Sequence, residues 1–183
     1  MEPLASASEL ATYSNGAVSS SDPRVAGSLA GVSLAIRNYC GWHITPELSD
    51  SLTLDGPGGR LLSLPTKYLT AITALVENDV VLVDNTDFRW SVDGSVKRLH
   101  TRWHDDFRII DATITHGYPS APDVKSVALA VVTRELSSPT GATREQAGAV
   151  SVSWALSSPG VSGGIALLAH ERAILDFYRI ESV

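Results

Sequence analysis

The sequence holds a single cysteine, Cys40. One thiol forms no internal disulfide and builds no cysteine-based zinc site, so a reducing cytosol is expected. No stretch approaches the roughly 20 apolar residues that cross a bilayer, so a membrane partner is not expected either. Met1 to Gly16 has neither a basic start nor an apolar run, which argues against an ordinary secretory signal. Positive charge is also scarce: 14 Lys and Arg against 20 Asp and Glu leave a formal charge of −6, with the basic residues scattered. Binding to nucleic acid needs clustered cations that displace counterions from phosphate, so specific DNA binding is not expected. An acidic surface suits DNA that must slide past without sticking.

What remains is enough for a core. The 183 residues are 44% hydrophobic and 19% charged, a length and balance that fit one compact domain. Residues 6–14 are expected to form a short helix around Leu10 and Tyr13, ended at Asn15-Gly16, with a small polar linker from Ala17 to Ser21. Asp22 then caps and Pro23 suits a first turn. Val25, Leu29, Val32, Ile36 and Tyr39 make one apolar stripe that Gly41 ends. From His43 to His116 the period changes to two. Leu52 and Leu54 alternate with polar residues, Gly56 to Gly59 interrupts, and Leu61 to Leu64 resumes. Phe88, Trp90 and Val92 alternate up to the Asp93-Gly94 turn, Val96 to Leu99 follows, and Arg108 to Thr115 supplies a further strand. About five to seven strands are expected.

Helix resumes at Ser120, with Pro122 in the first turn and Asp123 closing a capping box. Val124, Val127, Ala128, Leu129, Val131, Val132 and Leu136 mark it as the central core helix, ended by Ser138 to Gly141. Residues 139–148 are expected to be irregular, with a strand through Val150, Val152 and Trp154 and a loop from Ser157 to Gly164. A last helix runs from Ile165 to about Tyr178. The predicted fold class is therefore α+β, a helical bundle of three to four helices with an inserted small antiparallel β-sheet. Its divisions are an N-terminal segment, 1–21, and a single domain, 22–183. That domain has a helical core at 22–41, 120–137 and 164–179 and a β insertion at 43–116.

Three patterns invite chemistry. Gly160-Val161-Ser162-Gly163-Gly164 matches the nucleophile-elbow pattern, but only Asp176 and His170 follow it, both on one predicted helix, so a loop is the preferred reading. His100, His104, Asp105, Asp106 and His116 are competent metal ligands whose spacing fits no established site. Asp84, Asp87, Asp105 and Asp106 are better read as turn formers than as acid–base pairs, because Asp hydrogen-bonds its own backbone. No catalytic residue, metal or cofactor is expected. Trp42, Trp90, Trp103 and Trp154 are expected mainly to pack the sheet, with one or two at an interface.

The order of pieces carries more information than any single motif. Cys40-Gly41-Trp42-His43-Ile44 is followed by Leu52-Thr53-Leu54-Asp55-Gly56-Pro57-Gly58-Gly59, Leu64-Pro65 and the Asp93-Gly94 turn. Then come Thr115-His116-Gly117-Tyr118, Ala121-Pro122-Asp123-Val124, Ser138-Pro139-Thr140-Gly141, Arg144-Glu145-Gln146-Ala147-Gly148 and Leu175-Asp176-Phe177-Tyr178-Arg179. This series resembles the head-to-tail adaptor (connector) proteins of siphophages infecting actinobacteria, and more distantly the HK97-type connector family. The resemblance runs from about Asp22 to Ile180.

It implies a ring, commonly of twelve copies, at the virion neck beneath the portal protein. The ring continues the DNA channel and meets the stopper or tail-completion protein below. Phe177, Tyr178, Arg179 and Ile180 are expected to dock on the portal, and truncation after Asp176 to leave a folded but non-assembling subunit. Asp55, Gly58, Trp90 and Trp103 are expected to touch ring neighbours or the stopper. Two alternatives stand beside this: a stopper or tail-terminator protein, dominated by β structure, and a small serine hydrolase using Ser162, which fluorophosphonate labelling would reveal.

Overall fold

The structure, a computed structural model, describes residues 1–137, 144–147, 150–153, 156–158, 161–162 and 165–180. The chain divides into two compact units, one formed by Met1–Cys40 and Pro122–Phe177, the other by Gly41–Ala121 and Tyr178–Val183. The fold is α+β, as expected.

The first unit is helical. Helix α1 (Ala7–Tyr13) opens with a capping box: the Glu9 amide donates to the Ser6 hydroxyl, and the Ser6 amide donates to the Glu9 carboxylate. Leu10 is fully buried, and Leu4, Ala5 and Val18 are buried as well, so residues before Asp22 contribute to this unit's core. In α2 (Pro23–Cys40) the buried positions Val25, Leu29, Val32, Ile36 and Cys40 form the expected stripe, and Gly41, at φ 82°, provides the left-handed step after the last turn. Helix α3 (Pro122–Ser137) buries Val124, Val127, Ala128, Leu129, Val131 and Val132.

The last helix is shorter than expected. It is α4 (Ala169–Leu175), followed by a 3₁₀ turn at Asp176–Tyr178. Two side chains set its start. Glu171 accepts from the Leu168 amide at 2.8 Å, and Arg134 on α3 donates to the Ala166 carbonyl at 2.7 Å while pairing with Glu171 at 2.7 Å. Both backbone groups are thereby engaged outside a helix, which holds residues 165–168 in another conformation.

The second unit is built on seven strands: β1 (Leu48–Pro57), β2 (Leu61–Ser63), β3 (Leu69–Glu77), β4 (Val80–Val81), β5 (Phe88–Trp90), β6 (Ser95–Arg98) and β7 (Asp105–His116). They make two antiparallel sheets, ordered β1-β7-β3-β4 and β2-β6-β5. One apolar cluster, including Leu62, Leu64, Leu69, Leu75, Phe88, Val96, Trp103, Ile110 and Ile114, draws on both. Strand β3 lacked a period-two signature for a visible reason. Its pairing with β7 slips between Leu69 and Ala71 and again between Ile72 and Ala74, and each bulge resets the alternation.

Beyond α3, β8 (Arg144–Ala147) lies within the stretch expected to be irregular and pairs with β9 (Val150–Ser153), where a strand was expected. Likewise β10 (Leu156–Ser158) pairs with β11 (Val161–Ser162) inside the expected Ser157 to Gly164 loop. Trp154 lies outside the described residues.

Candidate functional site

The start of β1 and the end of β7 are neighbours, Leu48 opposite His116, so the β insertion opens and closes at one place. The Tyr118 amide donates to the Ile44 carbonyl at 2.8 Å, and this closure gathers the residues on either side. Trp42 stacks on His116 at 6.3 Å, His43 meets His116 edge-on at 4.4 Å, and Tyr68 stacks on Tyr118 at 4.5 Å. Gly117, at φ 106°, is required here, because a Cβ would run into the His43 ring and sit 2.6 Å from the Pro46 carbonyl. His116 is buried, and burial, with His43 beside it, pushes its imidazole down to about 4 despite the opposing influence of Asp50.

The C-terminal residues join this cluster. Tyr178 is buried, its ring edge-on to Tyr118 at 5.4 Å, and its carbonyl accepts from the Trp42 indole at 2.6 Å. Arg179 is exposed, and with Ile180, Ser63, Leu64, Lys67 and Asp93 it lines a groove of about 460 Å³. Phe177 is exposed. Of the four residues expected at the portal, Tyr178 is therefore buried in its own unit's core while Phe177 and Arg179 are exposed at the surface.

The residues expected at ring or stopper contacts separate likewise. Asp55 is exposed and its carboxylate accepts from the Arg108 amide at 2.8 Å. Gly58, at φ 67°, lies against Asp105. Trp90 is half-buried beside Asp84, Asn85 and Arg89 at a depression of about 290 Å³. Trp103, expected at a contact surface, is instead 1% exposed, a core side chain under the Arg98 guanidinium at 5.0 Å. An irregular stretch with scattered charges concealed its burial. The charges are locally satisfied, since Glu77, itself buried, pairs with Arg98 at 2.7 Å and accepts from the His104 amide at 2.9 Å.

No reactive constellation converges among the described residues. Among the described residues no group of three or more His, Cys, Asp or Glu could hold a metal. His104 pairs with Glu77, His116 sits in the aromatic cluster, and Asp84, Asp87 and Asp106 accept from nearby backbone amides, as turn-forming aspartates do. Ser162 falls on β11, while Gly160, Gly163 and Gly164 lie outside the described residues.

Sequence reasoning missed two exposed apolar features. Phe107 is 80% exposed on a bulge in β7, and Val80, Val81 and Val83 are 62%, 69% and 56% exposed on and beside β4. No periodic signal marks either, because each lies where strand pairing is interrupted or very short.

Neither a family model nor a curated protein matches the sequence. Solved structures do match over nearly the whole chain. A chain from the neck of a native gene transfer agent (GTA) particle, computed with C12 symmetry, superposes with a TM-score of 0.59 at 13% identity, covering 95% of this chain and 89% of that one. The fold is shared with a particle neck protein. A chain from the neck of an empty GTA particle computed with C6 symmetry gives a TM-score of 0.54 at 15% identity, over 97% of this chain and 90% of that one. The native GTA virion gives 0.57 at 13% identity, with 97% and 90% covered. At these identities the likeness is one of fold.

Proposed function

We propose that this protein is the head-to-tail adaptor of a tailed-phage-like particle. It is a structural virion subunit, made in the host cytoplasm, that forms a twelve-membered ring at the neck between the portal and the stopper or tail. The observation that carries this is the whole-chain likeness to a neck protein in an assembly with C12 symmetry, spanning both units of the fold. The exposed Phe177 and Arg179 would meet the portal, with Asp55, Gly58 and Trp90 on surfaces toward neighbouring copies or the stopper. DNA would pass through the lumen without specific contacts, consistent with the net charge of −6. No catalytic step, cofactor or membrane belongs to this role.

A stopper or tail-terminator would be dominated by β structure. The helical unit, with its own buried core from α1 to α4, favours the adaptor. The two differ in what they touch. Purified protein mixed with tail-free heads that expose a portal should cosediment with them when no other neck protein is present. Binding only after another neck protein has been added would instead identify a stopper.

A further inference from the structure

We propose that successive copies in the ring stack the outer face of one sheet of the β unit on the outer face of the other. Leu61, Lys97 and Arg89 of one copy meet Asp111, Val76 and Val81 of the next. This rests on the ring reading and deepens it by naming the surface.

The two sheets enclose one core, and that sets where their other faces point. Leu62, Phe88 and Val96 from β2, β5 and β6 share a buried cluster with Leu75, Ile110 and Ile114 from β3 and β7. Arg98 and Glu77, one from each sheet, pair at 2.7 Å in the same interior. Successive residues of a strand alternate sides, so the neighbours of these residues look away from the core, in opposite directions for the two sheets. A closed ring joined head to tail needs two unlike patches on nearly opposite sides of each copy, turned by about 30° per step for twelve copies. The two outer faces meet that requirement.

The outer face of β2-β6-β5 is cationic. Leu61 stands opposite Lys97 and Lys97 opposite Arg89, so one row crosses all three strands. All three residues are exposed, Leu61 by 53%. These strands carry no carboxylate, and neither cation forms an ion pair among the described residues. Like charges directly opposite on neighbouring strands repel and weaken the sheet. An exposed leucine beside an uncompensated Arg–Lys pair adds nothing to the free subunit and fits an anionic, partly apolar partner.

The outer face of β1-β7-β3-β4 has the complementary composition. Thr53, Asp111, Val76 and Val81 form one row across the four strands. The Thr53 hydroxyl donates to the Asp111 carboxylate at 2.7 Å, which fixes the anion within the face. Asp111 is exposed and forms no ion pair among the described residues. Val81 is 69% exposed and Val83, just beyond it, 56%. Strands β1, β3 and β4 carry no Lys or Arg, and β7 only Arg108, on the bulge at one end. Apolar surface therefore meets apolar surface, and Asp111 meets the Lys97–Arg89 pair. The occupant of each face is a second copy, because one chain supplies both halves and places them on opposite sides.

The test is charge exchange in particles carrying the full-length chain. Lys97→Glu sets opposite charges across β5 and β6, so the free subunit should melt no lower than wild type, yet its occupancy of the neck should fall about tenfold. Asp111→Lys should lower occupancy by a similar factor. Both changes in one chain restore the match between copies and should return occupancy to within about twofold of wild type. A second readout is independent of charge. Leu61→Cys and Val81→Cys together, treated with a short bismaleimide in assembled particles, should give a ladder of linked multimers, and each alone only monomers; Cys40 is buried and serves as its own control. Full occupancy with Lys97→Glu would overturn the proposal, as would a double charge variant that melts like wild type but assembles no better than the single ones. Dimers from a single cysteine variant would mean a symmetric contact and also overturn it. So would wild-type rings in the neck with no ladder from the double cysteine variant, which leaves the ring reading standing. Absence of any ring in wild-type particles would remove both.

Discussion

His116 shows how a residue's surroundings set a property of the whole unit. Its folded-state value of about 4 lies below the usual 6.5, so between these values the unfolded chain binds more protons. Stability is therefore complete near neutrality and is lost as pH falls from about 6.5 toward 4. The difference between pH 7.5 and 4.5 should be about 2–3 kcal/mol. Urea denaturation at the two pH values measures it, and His116→Phe should flatten the dependence. Glu77 is the second such residue. Glu77→Ala would leave the mostly buried Arg98 without its anion and the His104 amide without its acceptor, at a cost of about 3–5 kcal/mol by the same denaturation. A variant as stable as wild type would mean that water replaces the carboxylate there.

At the level of elements, legibility in the sequence followed regularity. The stripe Val25, Leu29, Val32 and Ile36 repeats on one helical face and yields α2 directly. The turn at Asp93-Gly94 places β5 and β6. Strand β3 was illegible because its two bulges break the alternation, and α4 was drawn too long because the Arg134 and Glu171 side chains set its start from a distant helix. Exposure is the property least legible in the sequence. Tyr178 and Trp103 are aromatic and polar-flanked in sequence but buried in space, whereas Phe107 lies beside aspartates that reveal their role only once the bulge is seen. The C-terminus illustrates the consequence. Truncation after Asp176 removes the buried Tyr178 and the acceptor of the Trp42 indole, so it should destabilise the β unit as well as abolish assembly. Arg179→Glu and Phe177→Ser are cleaner probes. Each should melt within about 1–2 °C of wild type, as surface changes do, while head binding falls at least tenfold. Unchanged binding would exclude this segment from the portal contact.

For the whole molecule, the decisive feature is the presence in one chain of a helical unit and a β unit, each with its own core, a fold similar to that of a chain from a GTA particle neck. Neither unit gathers a reactive site among the described residues, and the β unit leaves large apolar side chains in water. Such surface is stabilised by burial against other chains, which is what a ring in a neck provides. The most direct measurement is an electron cryo-microscopy reconstruction of the neck of particles that contain this protein. Twelve copies should form a closed ring against the portal, with Phe177 and Arg179 at that contact. A neck in which the protein is absent, or sits as an isolated copy away from the portal, would contradict the account.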